Sequence, residues 1–457
     1  MDGSHRFFFI KLWPELTFVG KTSVNERVSR DGDAMKRNPI ASSARVLTGK
    51  TTVTAVLALS SLLAPVFGAT GAEPIGLTVQ SEARGGTDVA VGDSVLSQIE
   101  NPANLVLQEH FAFDLSSRLS FPEVAWSGPI DESDSENRLI PLVNLGLAFP
   151  ADDRLTYGLA FYTPVGLASR YHIRHLLIPL MKESVGSDLT VVGLTGNAGY
   201  RLTDKWSIGA GVRGEIATLA FDVVLGQAKI DLSRGYTFGA GFQTGLRYQA
   251  RDDLAFGLAY CSPTWFADMT DGDTQAILYG LLPVSLGEGR LSNFRLPQKI
   301  STGVAWDVTD WLMLSGEIRW IDYSDSLFNS VTLETDNLFG LHVPFPVGYQ
   351  DQWVFATGAE FKLDDHWRLG LGYSYGTKVI PRANLLPMAS VIAAQHHITT
   401  GLRYEKDNWW VGGGYVLGLK TSLRGEGISA FPFGIDYGFS RLEQTQHSVF
   451  LGFGFRW

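Results

Sequence analysis

A single cysteine, Cys261, stands in 457 residues, so no disulfide can close within the chain and no multi-cysteine metal site can be built. Positive charge is not in excess: 37 Lys and Arg against 47 Asp and Glu leave a net charge of −10, which gives no electrostatic footprint for nucleic acid. Long apolar runs are scarce too. The one long uncharged stretch is residues 51–72, preceded by Lys36, Arg37, Arg45 and Lys50. A basic flank, a short apolar core and a small-residue end describe a secretory signal peptide cleaved near Ala69 to Ala72, opened by Met35-Lys-Arg. A retained anchor is the alternative, and Pro65 with the Gly-Ala-Thr-Gly-Ala tail suits processing better.

Catalytic constellations are missing as well. Nine histidines are scattered, and no Gly-x-Ser-x-Gly elbow occurs. His396 and His397 are neighbours on an expected strand, so they point to opposite faces and cannot ordinarily share a metal. Gly412 to Gly418 is glycine-rich but lies in a strand pattern with no following helix, which removes the nucleotide-loop reading. No enzyme activity, metal or cofactor is expected.

What the chain has instead is a repeat. Six polar turns, Pro150 to Leu155, Arg201 to Trp206, Gln249 to Leu254, Trp306 to Trp311, Lys362 to Trp367 and Tyr404 to Trp409, each contain acidic residues and restart on a bulky apolar residue. Their spacing of roughly fifty residues fits one short turn, two membrane-crossing strands of about 9–11 residues and one longer loop. Between turns, residues alternate by class. Trp367, Leu369, Leu371, Tyr373 and Tyr375 interleave with Arg368, Gly370, Gly372, Ser374 and Gly376, one face suited to lipid and the other to a packed lumen. Aromatics where strands enter turns match the interfacial girdles of outer-membrane barrels.

Counting alternating segments predicts fourteen strands, near 109–121, 139–149, 154–166, 188–201, 205–219, 234–249, 253–268, 293–307, 311–325, 350–363, 366–379, 394–405, 408–418 and 445–457. The expected fold is all-β: a fourteen-stranded antiparallel transmembrane barrel at 109–457, preceded by residues 1–72 as upstream extension and signal peptide. Both termini and the six short turns would face the periplasm. Longer connections, including 163–188 and 268–293, would face outward. Residues 73–108 are small, polar and too few to build a core, so they need a host, and the lumen is the obvious one. The last strand alternates through Val449, Leu451, Phe453, Phe455 and Trp457 to an aromatic terminus, the usual form of the signal read by barrel-assembly machinery.

The order of motifs resembles the FadL/TodX family of outer-membrane channels for long-chain fatty acids and other hydrophobic compounds. The resemblance rests on Asn101-Pro-Ala103, Tyr162 to Ala168, Gly199 to Gly209, Leu296 to Val304, Trp320 to Ser324, and Asp351 to Gly358 through Pro381. It implies a barrel plugged by an N-terminal hatch, with a hydrophobic small molecule captured outside and released sideways to outer-membrane lipids at a kink in the third strand. The implied hatch and gate residues are Asn101, Pro102, Ala103, Pro164 and Gly166, with Asn101 to Ala103 lying near Phe161 to Gly166. Proline removes a ladder donor and glycine tolerates a bulge, which suits a kink. The chain departs from the family's fatty-acid transporters in a short connection near 220–233.

Two apolar stretches are candidate ligand contacts or loop packing: Leu176, Leu177, Ile178, Leu180 and Met181, and Ile277, Leu278, Tyr279, Leu281 and Leu282. Arg213, Glu215, Glu317, Arg319, Glu360, Arg368 and Arg403 are costly in lipid and should point inward. Most would pair to hold the hatch, and Arg319 or Arg403 is the candidate for a substrate carboxylate. Two functions stay open: a passive transport channel working as a monomer, or a surface-interaction barrel of the adhesin or phage-receptor type.

Overall fold

The structure, a computed structural model, describes residues 72–136, 139–225, 227–270, 274–278, 284–337, 342–382, 385–386, 394–427 and 435–457. The expected signal peptide, the start at Met35, and Tyr279, Leu281 and Leu282 lie outside the described residues.

Fourteen antiparallel strands form a closed barrel: Ala112–Ser127, Ile140–Pro150, Leu155–His175, Ile178–Arg201, Trp206–Leu225, Ala228–Arg251, Leu254–Cys261, Lys299–Thr309, Leu312–Ile321, Gln352–Lys362, Trp367–Gly376, His396–Lys406, Trp409–Arg424 and Arg441–Arg456. Each pairs with its neighbours in sequence, and the fourteenth pairs with the first from Ala112↔Arg456 to Ser127↔Arg441. Closure leaves the sheet without a terminal edge strand, the condition for β-structure in a bilayer.

The six acidic turns all lie at one rim, and their acids work locally. Asp152 Oδ1 accepts from the N–H groups of Arg154 and Leu155, and Asp364 Oδ1 from those of His366 and Trp367. The two donors hold the exposed Asp364 carboxyl below its ordinary range. Aromatics gather at the same rim: Trp206 stacks on Tyr248 at 4.3 Å, Trp367 meets Tyr404 at 5.0 Å, and Phe111 meets both Phe149 and Trp457 at 5.1 Å. Outward-facing Leu159, Leu194, Val212, Phe238, Leu258, Leu371, Ile398 and Leu451 stay exposed, an apolar belt too large for a water-facing surface.

The barrel differs from the sequence expectation at its other end. Residues 163–188 are not a loop: the third and fourth strands continue to His175 and from Ile178, turning at Leu176-Leu177. Likewise the stretch 220–233 is strand up to Leu225 and again from Ala228. The reason is legible afterwards. Alternation continues past the lipid belt, with Tyr171 and Ile173 buried and Arg170, His172 and Arg174 exposed, so a criterion built on lipid-facing apolar residues stops too early. The seventh strand instead ends early, at Cys261, where Pro263 cannot donate to the ladder. Tyr171 and Val223, buried in these extensions, join Trp126 of the first strand and Phe294, Tyr323, Phe345 and Tyr437 of the connecting segments in one apolar core.

Residues 72–108 lie within the ring. Their backbone and side chains reach Asp114 of the first strand, Asn144 of the second, Asn197 of the fourth, Gln243 of the sixth, Glu317 of the ninth, Glu360 of the tenth and Thr399 of the twelfth, and only the interior touches all of these. They carry a five-residue helix, Val79–Ala83, capped by Thr78, and two 3-10 turns, Val95–Ile99 and Pro102–Leu107. Lumen-facing glycines admit them. A Cβ on Gly209 would sit 2.3 Å from the Pro102 carbonyl carbon, and one on Gly372 would sit 2.1 Å from the Gly85 nitrogen.

Candidate functional site

The third strand breaks its pairing on both sides at one level. Toward the second strand the ladder runs from Pro150↔Thr156 to Leu145↔Phe161 and stops. Toward the fourth it skips from Tyr162↔Gly193 to Val165↔Val191, leaving Thr163 and Pro164 in a bulge. Pairing on the second-strand side returns only near Arg170, whose carbonyl accepts from the Glu136 N–H at 2.8 Å. Ile140 to Asn144 therefore pair only with the first strand, and Val165 to Ser169 only with the fourth. The result is an unzipped window in the barrel wall, without ladder bonds but filled by the side chains of Ile140 and Leu142. Gly166 stands in it: a Cβ there would lie 2.9 Å from Leu142 Cδ2 and 3.1 Å from Ile140 Cγ2.

A buried amide ties this window to the N-terminal segment. Asn144 Oδ1 accepts from the Thr163 N–H at 3.1 Å, replacing the ladder partner lost at the bulge, while its Nδ2 donates to the Leu77 carbonyl at 3.0 Å. Thr163 Oγ1 adds a bond to the Val143 carbonyl at 3.2 Å. Tyr162 packs with Leu77, Leu96, Ile99 and Ala160, and its hydroxyl donates to Glu215 Oε1 at 2.6 Å. Asn144→Leu is expected to cost about 1–3 kcal/mol, because shape is kept while a donor and an acceptor are left unpaired. A urea midpoint for the folded barrel within error of the parent would contradict this.

Asn101 to Ala103 lie elsewhere. Asn101 Oδ1 accepts from the Ala103 N–H at 3.0 Å, capping the second 3-10 turn, and its Nδ2 donates to the carbonyls of Val89 at 2.8 Å and Leu246 at 3.2 Å. Pro102 presses on Gly209 and Asn101 on Gly245, so the motif rests on the fifth and sixth strands. The residues that reach the bulge are Leu77, Leu96 and Ile99, together with Asn144, and sequence reasoning missed all four. Asn144 had one signal: a lone amide on the inward parity of an otherwise apolar strand, Leu142-x-Asn144-x-Gly146.

Both candidate arginines are engaged. Arg319 meets Glu317 at 2.7 Å and Glu100 at 3.8 Å; Arg403 meets Asp93 at 3.0 Å, Glu360 at 3.3 Å and Glu405 at 2.8 Å. Arg84, from the N-terminal segment, forks onto Asp93 at 2.9 Å and reaches Glu360 at 2.6 Å. Glu317 also accepts the N–H groups of Asp88 and Val89. Of the apolar stretches, Leu176 and Leu177 form an exposed turn, Leu180 is 93% exposed, Met181 is exposed and Ile178 is buried. Ile277 is half-buried opposite Lys229, and Leu278 pairs through its backbone with Ala228.

Between the N-terminal segment and the wall lies a cavity of about 30 Å³, lined in part by Glu73, Leu77, Glu100, Tyr162, Pro164 and Lys299. It has room for water and is well short of the roughly 150 Å³ that holds benzene. Among the described residues no cluster of three His, Cys, Asp or Glu could hold a metal ion.

A closed barrel with an apolar belt, an aromatic rim and a set of charged residues, among them Glu215, Glu317, Arg319 and Arg403, buried in its interior is a membrane-spanning β-barrel. Residues 76–386 match the model of the outer membrane protein transport protein family (OMPP1/FadL/TodX), and the chain belongs to that family. It is a bacterial outer-membrane protein. Similar solved structures include the Ralstonia pickettii toluene transporter TbuX, with TM-score 0.68 at 20% identity over 84% of this chain and 99% of that one. The Pseudomonas putida toluene transporter TodX gives 0.68 at 22% over 86% and 100%. A Pseudomonas aeruginosa FadL homologue gives 0.67 at 17% over 86% and 100%. No curated protein sequence matches the chain.

Proposed function

We propose that this chain is a passive channel that carries hydrophobic molecules, long-chain fatty acids or hydrocarbons, across the outer membrane and releases them sideways through the window between the second and third strands. The observation that carries the reading is the pairing gap at Ile140 to Asn144 and Val165 to Ser169, beside the bulge of the third strand. Residues 73–108 act as the hatch: they fill the ring beneath the window, so a molecule entering from outside meets an obstacle below and an opening at the side. The apolar core of the outer extensions lines the approach. Charged groups inside serve the hatch rather than chemistry, and no catalytic role is assigned to them.

The rim with the short turns faces the periplasm, where assembly machinery engages the strand ending in Trp457, after removal of a signal peptide near Ala69 to Ala72. The protein works as a monomer, its ring closed within one chain. Toluene transport by TbuX and TodX supports the hydrocarbon side of the reading. The test is uptake of radiolabelled hexadecane and palmitate by cells lacking and carrying the protein. Faster entry of at least one is expected, and equal rates for both would reject transport.

A further inference from the structure

We infer that the substrate is a neutral hydrophobic molecule, and that the site where the hatch meets the wall rejects carboxylates. This rests on the transport reading and narrows it. In the transport reading, the cavity beside the window, which must widen from its 30 Å³ to admit a substrate, is where a molecule descending the lumen meets the hatch and turns toward the gap. Its charged lining is three carboxylates, Glu73, Glu100 and Glu215, against two cations, Arg213 and Lys299.

Both cations are already neutralised. Lys299 Nζ lies 3.2 Å from Glu73 and 3.7 Å from Glu100, and Arg213 lies 3.3 Å from Glu215 while donating to the Ser262 carbonyl at 2.7 Å. Arg319, behind Glu100, is held by Glu100 and Glu317. Glu215 and Glu317 are almost completely buried, and Glu100 nearly so. A fatty-acid carboxylate arriving here would have to take a cation from one of these acids, leaving a buried carboxylate without its partner in a site that already has an acid in excess. That exchange is strongly unfavourable, because a buried charge stripped of its partner keeps its desolvation cost. A hydrocarbon asks for no exchange: once the cavity widens to admit it, Leu77, Ile99, Pro164 and Leu296 offer apolar contact while the ion pairs stay intact.

Glu73 and Glu100 thus act as specificity residues by occupying Lys299. The experiment uses the full-length protein in proteoliposomes at pH 8 with radiolabelled hexadecane and palmitate, probes of equal chain length that differ in charge. The parent protein should favour hexadecane by about tenfold or more, and Glu73→Gln/Glu100→Gln, which releases Lys299, should raise the palmitate-to-hexadecane ratio by about tenfold. If the double variant does not assemble, Glu100→Gln alone and the parent ratio decide. Palmitate entering as fast as hexadecane in the parent overturns the inference and leaves transport standing. An unchanged ratio in an assembled variant overturns the role of the two acids. Entry of neither probe removes the transport reading and the inference together.

Discussion

Gly166→Trp should lower uptake of a labelled hydrophobic substrate by about tenfold or more while the purified barrel still binds it, with tenfold in rate corresponding to about 1.4 kcal/mol. The expectation follows from the window's dimensions. Even one added carbon would stand 2.9 Å from Leu142 and 3.1 Å from Ile140, so an indole at that position fills the space between the two unzipped edges. Nothing at the hatch is touched, because the site's hydrogen bonds run through Asn144, Thr163 and Tyr162. Gly166→Ala should give a smaller loss. Unchanged uptake by a folded Trp variant would move the exit to another place.

Arg84→Met should loosen the N-terminal segment within the ring. Its guanidinium is fully buried and holds Asp93 and Glu360 at once, and without it the two carboxylates share only Arg403. Breaking a buried pair costs about 3–5 kcal/mol, and the partial exposure of Asp93 and Glu360 reduces this to about 2–3 kcal/mol. The open population of residues 72–108 should then rise by roughly 30-fold or more, read as proteolysis of that segment in barrels that keep their heat-modifiable mobility. Arg84→Lys should fall between, since an ammonium cannot fork onto a carboxylate. Equal cleavage in parent and Met variant would mean that these pairs do not hold the segment.

The barrel was readable because its physics is periodic. Alternation of Trp367 to Tyr375 against Arg368 to Gly376 fixes faces, and the aspartate-bearing turns fix connections. Strand ends were less readable, since the third and fourth strands leave the lipid while keeping their period of two, and only the outward residues change from apolar to polar. The kink was visible in Pro164 and Gly166, because proline and glycine act on their own backbone. Its tie to the N-terminal segment was hidden. Asn144 and Leu77 are 67 residues apart, and their bond depends on how the segment lies across the lumen, which no local pattern encodes. Asn101 to Ala103 show the same limit: the motif drew attention to the right segment, but three-dimensional packing sets it on Gly209 and Gly245 rather than at the bulge.

If substrate leaves through the wall between the second and third strands, locking that wall must stop uptake. The direct measurement is uptake by Leu142→Cys/Gly166→Cys in a Cys261→Ser background, before oxidation, after oxidation, and after reduction again. A disulfide across the window should stop uptake in the oxidised barrel, and reduction should restore it in the same molecules, which separates closure from misfolding. Full uptake with the disulfide formed would contradict the lateral exit and leave passage past the hatch into the periplasm.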